Sequence, residues 1–96
     1  MSYVHTDNMD KFFEAVMSLK NIEECYEFFE DLCTIRELKD FEQRFTVARM
    51  LADKCVYNEI AQKTGASTAT ISRVNRALMY GSDGYKKVLE RMNNDN

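Results

Sequence analysis

The chain's capacity for chemistry is concentrated between Tyr57 and Arg76, in the string YNEIAQKTGASTATISRVNR. This stretch carries hydroxyls at Ser67, Thr68 and Ser72, cations at Lys63, Arg73 and Arg76, and an amide at Asn58. From Ile60 to Ser82 there are three basic residues and no acid. Hydroxyls and guanidinium groups at helical spacing can bond base edges and phosphate oxygens, so this segment could grip a nucleic acid. A solvated helix face would also carry such charges, and charge alone leaves both readings open.

The groups needed for catalysis or metal binding are scarce. His5 is the sole histidine, and Cys25, Cys33 and Cys55 form an odd set without a C-x-x-C pair. Neither a zinc centre nor a Cys/His nucleophile is expected from them. The odd count argues against a disulfide framework and for a reducing compartment, taken to be the cytoplasm. Glu23, Glu24, Glu27, Glu30 and Asp31 crowd one region. Without a histidine or a converging ligand they read as a solvated acidic face. There is no H-E-x-x-H and no phosphate loop, so the expectation is no enzyme, no metal and no cofactor.

A reading segment needs elements that hold it, and Tyr57 to Arg76 has the grammar of a helix-turn-helix. Two short helices meet at a steep angle across a tight turn. Ala61 is small where the second helix crosses the first. Gly65 stands four residues later, where the turn needs positive φ. Ile60, Ala66, Ile71 and Val74 fall at the inward positions, and Ser67 can cap the second helix. Ser67, Thr68, Ala69, Ser72 and Arg73 then point toward base edges in a major groove. Asn58, Lys63 and Arg76 are better placed to hold phosphates, which fix register without reading sequence. Thr70 faces sideways.

The rest of the chain fits an all-α domain of about six helices, taken as one unit over residues 1–96. Among 96 residues there is no proline and there are only three glycines, which disfavours turn-rich sandwiches and barrels. The longest apolar run is four residues, Ala77 to Tyr80, too short for a membrane span. The first ten residues, MSYVHTDNMD, have no basic stretch followed by an apolar one, so no secretory leader is expected. Asp7 or Asn8 can cap a first helix with Phe12, Phe13 and Val16 on one stripe. Asn21 with Glu24 resembles a capping box for a second helix, whose stripe is Ile22, Cys25, Tyr26, Phe29, Leu32 and Cys33, leaving Phe28 off it. Thr34 with Glu37 opens a long third helix reaching about Lys54. Its stripe is Ile35, Leu38, Phe41, Phe45, Ala48 and Ala52, with Val47, Met50 and Leu51 on a second face. Two apolar faces in so small a chain suggest an oligomer. Residues 93–96 read as a loose tail. Charge divides the chain: Met1 to Glu42 has 4 basic and 11 acidic residues, whereas Gln43 to Met92 has 9 basic and 4 acidic ones. Such asymmetry points to an acidic partner for the basic half.

From Leu32 to Met92 the chain resembles the Trp repressor family, and its overall pattern is similar to the YerC/YecD group of Trp-repressor-related proteins. The resemblance rests on Thr34 opening the long helix, Arg44 within it, the string GASTATISR at Gly65 to Arg73, and Leu78 after it. It implies an intertwined homodimer built from the outer helices, with two protruding helix-turn-helix readers. It also implies an effector pocket at Thr34, Arg44, Arg73, Val74 and Ala77. In the tryptophan-responsive repressor two arginines flank the indole, with a glycine and a serine nearby. Arg44 and Arg73 match the arginines, but Val74 stands at the glycine position and Ala77 at the serine position. Valine fills space the indole needs and alanine offers no hydrogen bond, so no tryptophan response is expected. Arg44 would then be free to pair with Glu42 or to cap a helix C-terminus.

The function expected is a sequence-specific, homodimeric regulator of transcription that reads an inverted repeat in double-stranded DNA. Two reading helices would lie one turn of DNA apart, roughly 34 Å. The alternative is a helical protein-interaction module that uses the helix-turn-helix as a scaffold, with the acidic helices meeting a basic partner.

Overall fold

The computed structural model describes residues 5–94. It contains six helices: α1 (Asp7–Met17), α2 (Ile22–Leu32), α3 (Ile35–Ala52), α4 (Tyr57–Thr64), α5 (Thr68–Tyr80) and α6 (Gly84–Asn94). Among the described residues there is no strand, and no helix is long and apolar enough to cross a membrane. The chain forms two compact units, one up to Leu38 and the other from Lys39.

In the first unit each helix is opened by a side-chain cap. Thr6, rather than Asp7 or Asn8, caps α1: its hydroxyl accepts a 3.0 Å bond from the Met9 amide. This leaves Asp7 and Asp10 in the first turn, where carboxylates oppose the positive end of the helix dipole. Asn21 Oδ1 accepts from the Glu24 amide at 2.9 Å, and Glu24 Oε1 accepts from the Lys20 amide at 3.0 Å. The return bond thus lands one residue upstream of the expected box. Thr34 and Glu37 make the full reciprocal box, at 2.8 and 3.1 Å.

Packing in this unit departs from the periodicity. Phe28, off the expected stripe, is half-buried and stacks on Phe12 with ring centroids 6.3 Å apart. Phe29 meets Phe28 edge-on at 5.5 Å. Part of the stripe stays open, with Ile22 72% and Tyr26 63% exposed, while Phe29 and Cys33 are half-buried. The aromatic contact takes one face of α2, and a helix cannot turn both apolar faces toward the same neighbour.

The second unit holds the core. Val47, Ala48 and Ile60 are fully buried, joined by Ala66, Ile71 and Val74, with Met50, Leu51, Cys55, Ala61, Tyr85 and Leu89 packed around them. The core therefore uses the second face of α3, with Ala48, while Phe41 on the longer stripe is 48% exposed. The helix ends at Ala52, two residues short of the expected limit, in a Schellman-type turn. The Lys54 amide donates to Leu51 O and the Cys55 amide to Met50 O, both at 3.0 Å, with Lys54 at φ 67°. At the other end of the unit, α6 includes Asn93 and Asn94, which the sequence places in a loose tail. Once Tyr85 and Leu89 anchor the helix, each added residue extends it at little cost. The remaining tail residues, 95 and 96, lie outside the described residues.

Candidate nucleic-acid interface

The turn between α4 and α5 is built as the sequence requires. Gly65 sits at φ 72°, ψ 7°, and its amide donates to Ala61 O at 2.9 Å, closing α4 with a left-handed residue. Thr64 braces the same turn: its hydroxyl donates to Ile60 O at 2.7 Å and accepts from the Ala66 amide at 3.1 Å. Ser67 then caps α5, accepting from the Thr70 amide at 3.1 Å. Ile60, Ala66, Ile71 and Val74 are all buried, and Ala61 is half-buried. A third support comes from α3, where Gln43 Nε2 donates to Thr64 O at 3.0 Å.

This frame exposes one face of α5. Ser67, Thr68, Ala69, Ser72, Arg73 and Arg76 are all exposed, while Ile71, Val74 and Leu78 hold the opposite side in the core. The first turn of α5 contains no acid. Among the described residues neither Arg73 nor Arg76 is in an ion pair. Both guanidinium groups are therefore open to an outside acceptor. Asn58 is exposed in the first turn of α4, and Lys63 in its last turn. Lys63 lies 3.8 Å from Glu59 in an exposed i,i+4 pair, an arrangement weak enough to exchange for a phosphate. Thr70 is half-buried and accepts a 3.1 Å bond from the Ser67 hydroxyl.

Three of the residues assigned to an effector pocket meet at one depression in the second unit. Arg44, Arg73 and Val74 share a depression of about 180 Å³ with Asp40, Gln43 and Thr70. Ala77, one turn beyond Arg73, lines a separate, largely apolar depression of about 550 Å³ with Phe45, Ser82, Gly84, Tyr85 and Val88. Thr34 spends its hydroxyl on capping α3. Val74 is 3% exposed, so its side chain belongs to the core rather than to open space. Arg44 pairs with no acid among the described residues; its guanidinium carbon lies 5.9 Å from the centre of the Phe41 ring. Residues two apart on a helix point to different faces, which is why Glu42 does not meet it.

Two participants escape a reading of the sequence. Asp40 shares the depression with Arg44, and the four-residue spacing between them is a legible signal. Gln43 carries no such signal, because its partner is a backbone carbonyl in another helix. Elsewhere the chemistry is sparse. Cys25 is exposed and Cys55 half-buried. Partial burial, reinforced by a hydrogen bond and the charge of Glu59, holds the Cys55 thiol above its usual pKa. Among the described residues no cluster of His, Cys, Asp or Glu could hold a metal ion.

This arrangement recurs in known proteins. Residues 7–93 match the model of the Trp repressor protein family. YerC of Bacillus subtilis (strain 168) is 54% identical over 84 residues, covering 88% of this chain and 81% of YerC. The Trp operon repressor homolog of Chlamydia caviae is 32% identical over 83 residues, covering 85% of this chain and 82% of the relative. The crystal structure of a TrpR like protein from Eubacterium eligens superposes with a TM-score of 0.92 at 54% identity, covering 94% of this chain and 93% of that one. With the helix-turn-helix, the six-helix order and these likenesses in agreement, the chain belongs to the Trp repressor protein family and, within it, to the YerC group.

Proposed function

We propose that this protein is a sequence-specific DNA-binding regulator of transcription, acting in the cytoplasm as a homodimer on an inverted repeat and without responding to tryptophan. The observation that carries this reading is the free face of α5. Thr68, Ala69, Ser72, Arg73 and Arg76 are exposed, with no ion pair among the described residues to occupy the arginines. Thr68 and Ala69 are small enough to let the helix end approach a thymine methyl, and Arg73 can reach a guanine edge or a phosphate. Asn58, Lys63 and Arg76 hold the backbone around that contact. The dimer is supported by apolar surface that a single chain leaves open, including Ile22, Tyr26 and Ile35 in the first unit. The name of the Chlamydia caviae relative, a Trp operon repressor homolog, agrees with a regulatory role.

The test is selection of bound duplexes from a random DNA pool, with wild type and a Thr68→Ala, Arg73→Ala double variant in parallel. Wild type is expected to enrich an inverted repeat that the variant does not select. If wild type enriches nothing, and its residual binding simply fades with salt as phosphate contacts do, the DNA-reading function is wrong. The interaction-module alternative then takes its place.

A further inference from the structure

Among the described residues, a side-chain hydrogen bond ties α3 to the turn that precedes α5. Gln43 Nε2 on α3 donates to Thr64 O over a separation of 21 residues, whereas the side-chain bonds at the caps and turns of Thr6, Asn21, Thr34, Thr64 and Ser67 join residues at most four apart. The acceptor is the last carbonyl of α4, which the helix leaves without an intrahelical partner. Its residue braces the turn in two more ways, through the Thr64 hydroxyl to Ile60 O and from the Ala66 amide. Three residues after Thr64, Ser67 opens α5.

Gln43 also stands between two polar depressions. One is lined with Lys39, Glu42, Thr46, Lys63 and Thr64, the other with Asp40, Arg44, Thr70, Arg73 and Val74. Its side chain is thus half-buried between the core helix and the reading motif. Apolar contacts fix how far α5 stands from the core, but such contacts are non-directional. A hydrogen bond constrains direction as well, because it weakens steeply away from linearity. The Gln43 amide is the directional link from α3 to the turn that aims α5.

We propose that Gln43 is a positioning residue for sequence reading: its bond to the Thr64 carbonyl fixes the angle at which α5 presents Thr68, Ala69 and Arg73 to base edges. The proposal rests on the DNA-reading function above. In this role Gln43 acts through the Thr64 carbonyl rather than on DNA itself, so its removal acts on the discrimination between sequences more than on the grip.

The test compares wild type with Gln43→Met, which keeps the length and loses the donor, and with Gln43→Lys, which restores a donor. For each, affinity is measured for the duplex that wild type selects and for a scrambled duplex, together with the thermal midpoint and hydrogen exchange at the Gly65 and Ala66 amides. The expected result for Gln43→Met is a ratio of affinities reduced about tenfold, roughly the effect of one lost hydrogen bond in each of two protomers. Faster exchange at Gly65 and Ala66 should accompany it at temperatures where the protein is fully folded. Gln43→Lys should recover most of the ratio, even though its added charge raises binding to both duplexes. Loss of affinity for both duplexes in equal proportion would overturn the proposal, as would an unchanged ratio or a lack of rescue by lysine. Failure of wild type itself to prefer any duplex would sink the DNA-reading function, and the positioning role with it. A failure confined to the variants leaves that function intact.

Discussion

The hydroxyl of Ser67 lies 3.1 Å from both the backbone nitrogen and the hydroxyl of Thr70, accepting from the first and donating to the second. The first bond caps α5; the second engages the proton that Ser67 would otherwise offer to DNA. Capping and reading can therefore be separated by substitution. Ser67→Ala should lower the unfolding free energy by about 1 kcal/mol, the usual cost of a lost N-cap. Ser67→Asp should keep the cap and most of the stability, yet weaken DNA binding by placing a carboxylate at the end of the helix that approaches the bases. Denaturant unfolding and DNA titration of the two variants check this; equal DNA affinity for Ser67→Asp and wild type would contradict the proposed docking.

Arg73 and Arg76 differ in position along α5, and their removal should differ in kind. Arg73 stands nearer the reading end. Arg73→Ala should relax preference at one base position, at a cost of about 1–3 kcal/mol in discrimination. Arg76→Ala should weaken binding to all sequences alike and reduce the slope of log affinity against log salt by about 1 per protomer. Titrations at several salt concentrations, on selected and scrambled duplexes, distinguish the two outcomes.

Val74 is 3% exposed and belongs to the core cluster with Val47 and Ile60. With valine at position 74 and alanine at position 77 in place of the glycine and serine of the tryptophan-responsive repressor, free tryptophan should leave DNA affinity and thermal midpoint unchanged. Calorimetric titration without DNA should show no binding heat. Emptying the position is not harmless: Val74→Gly removes buried methyl groups and puts glycine inside a helix, with an expected loss of about 2–3 kcal/mol. Strong enhancement of DNA binding by tryptophan in the wild type would overturn this account of the site.

Cys55 gives a pH dependence whose sign is fixed. Its thiol pKa is raised, chiefly by partial burial and then by Glu59. The folded chain holds this proton more tightly than the unfolded chain does. The corresponding stability is complete below the ordinary thiol pKa and declines as pH rises through the higher folded value. Near pH 8, alkylation should accordingly label the exposed Cys25 well before Cys55. Mass mapping of the labelled sites reads the order, and Glu59→Gln should speed labelling at Cys55.

Local features were the most legible in the sequence. The box at Thr34 and Glu37, the left-handed Gly65, the Ser67 cap and the inward set Ile60, Ala66, Ile71 and Val74 all occur as the spacing requires. Each depends on chemistry within a few residues, where backbone geometry leaves few solutions. The faces of α2 and α3 were less legible. Both helices are apolar on more than one side, and periodicity cannot say which side meets the same chain. Phe28 rather than Tyr26 finds a neighbour, and Val47 rather than Phe41 enters the core.

The sequence by itself determined the helical class, the motif that exposes α5 and the family to which the chain belongs. Propensity, capping and the steric demands of a tight turn act over short separations, and a single string records them. Only the tertiary structure decided that Gln43 reaches the Thr64 carbonyl and that Val47, rather than Phe41, enters the core. Those relationships depend on how helices pack and in which direction side chains leave them. Packing is settled by the whole buried surface at once, so no local pattern of residues announces it.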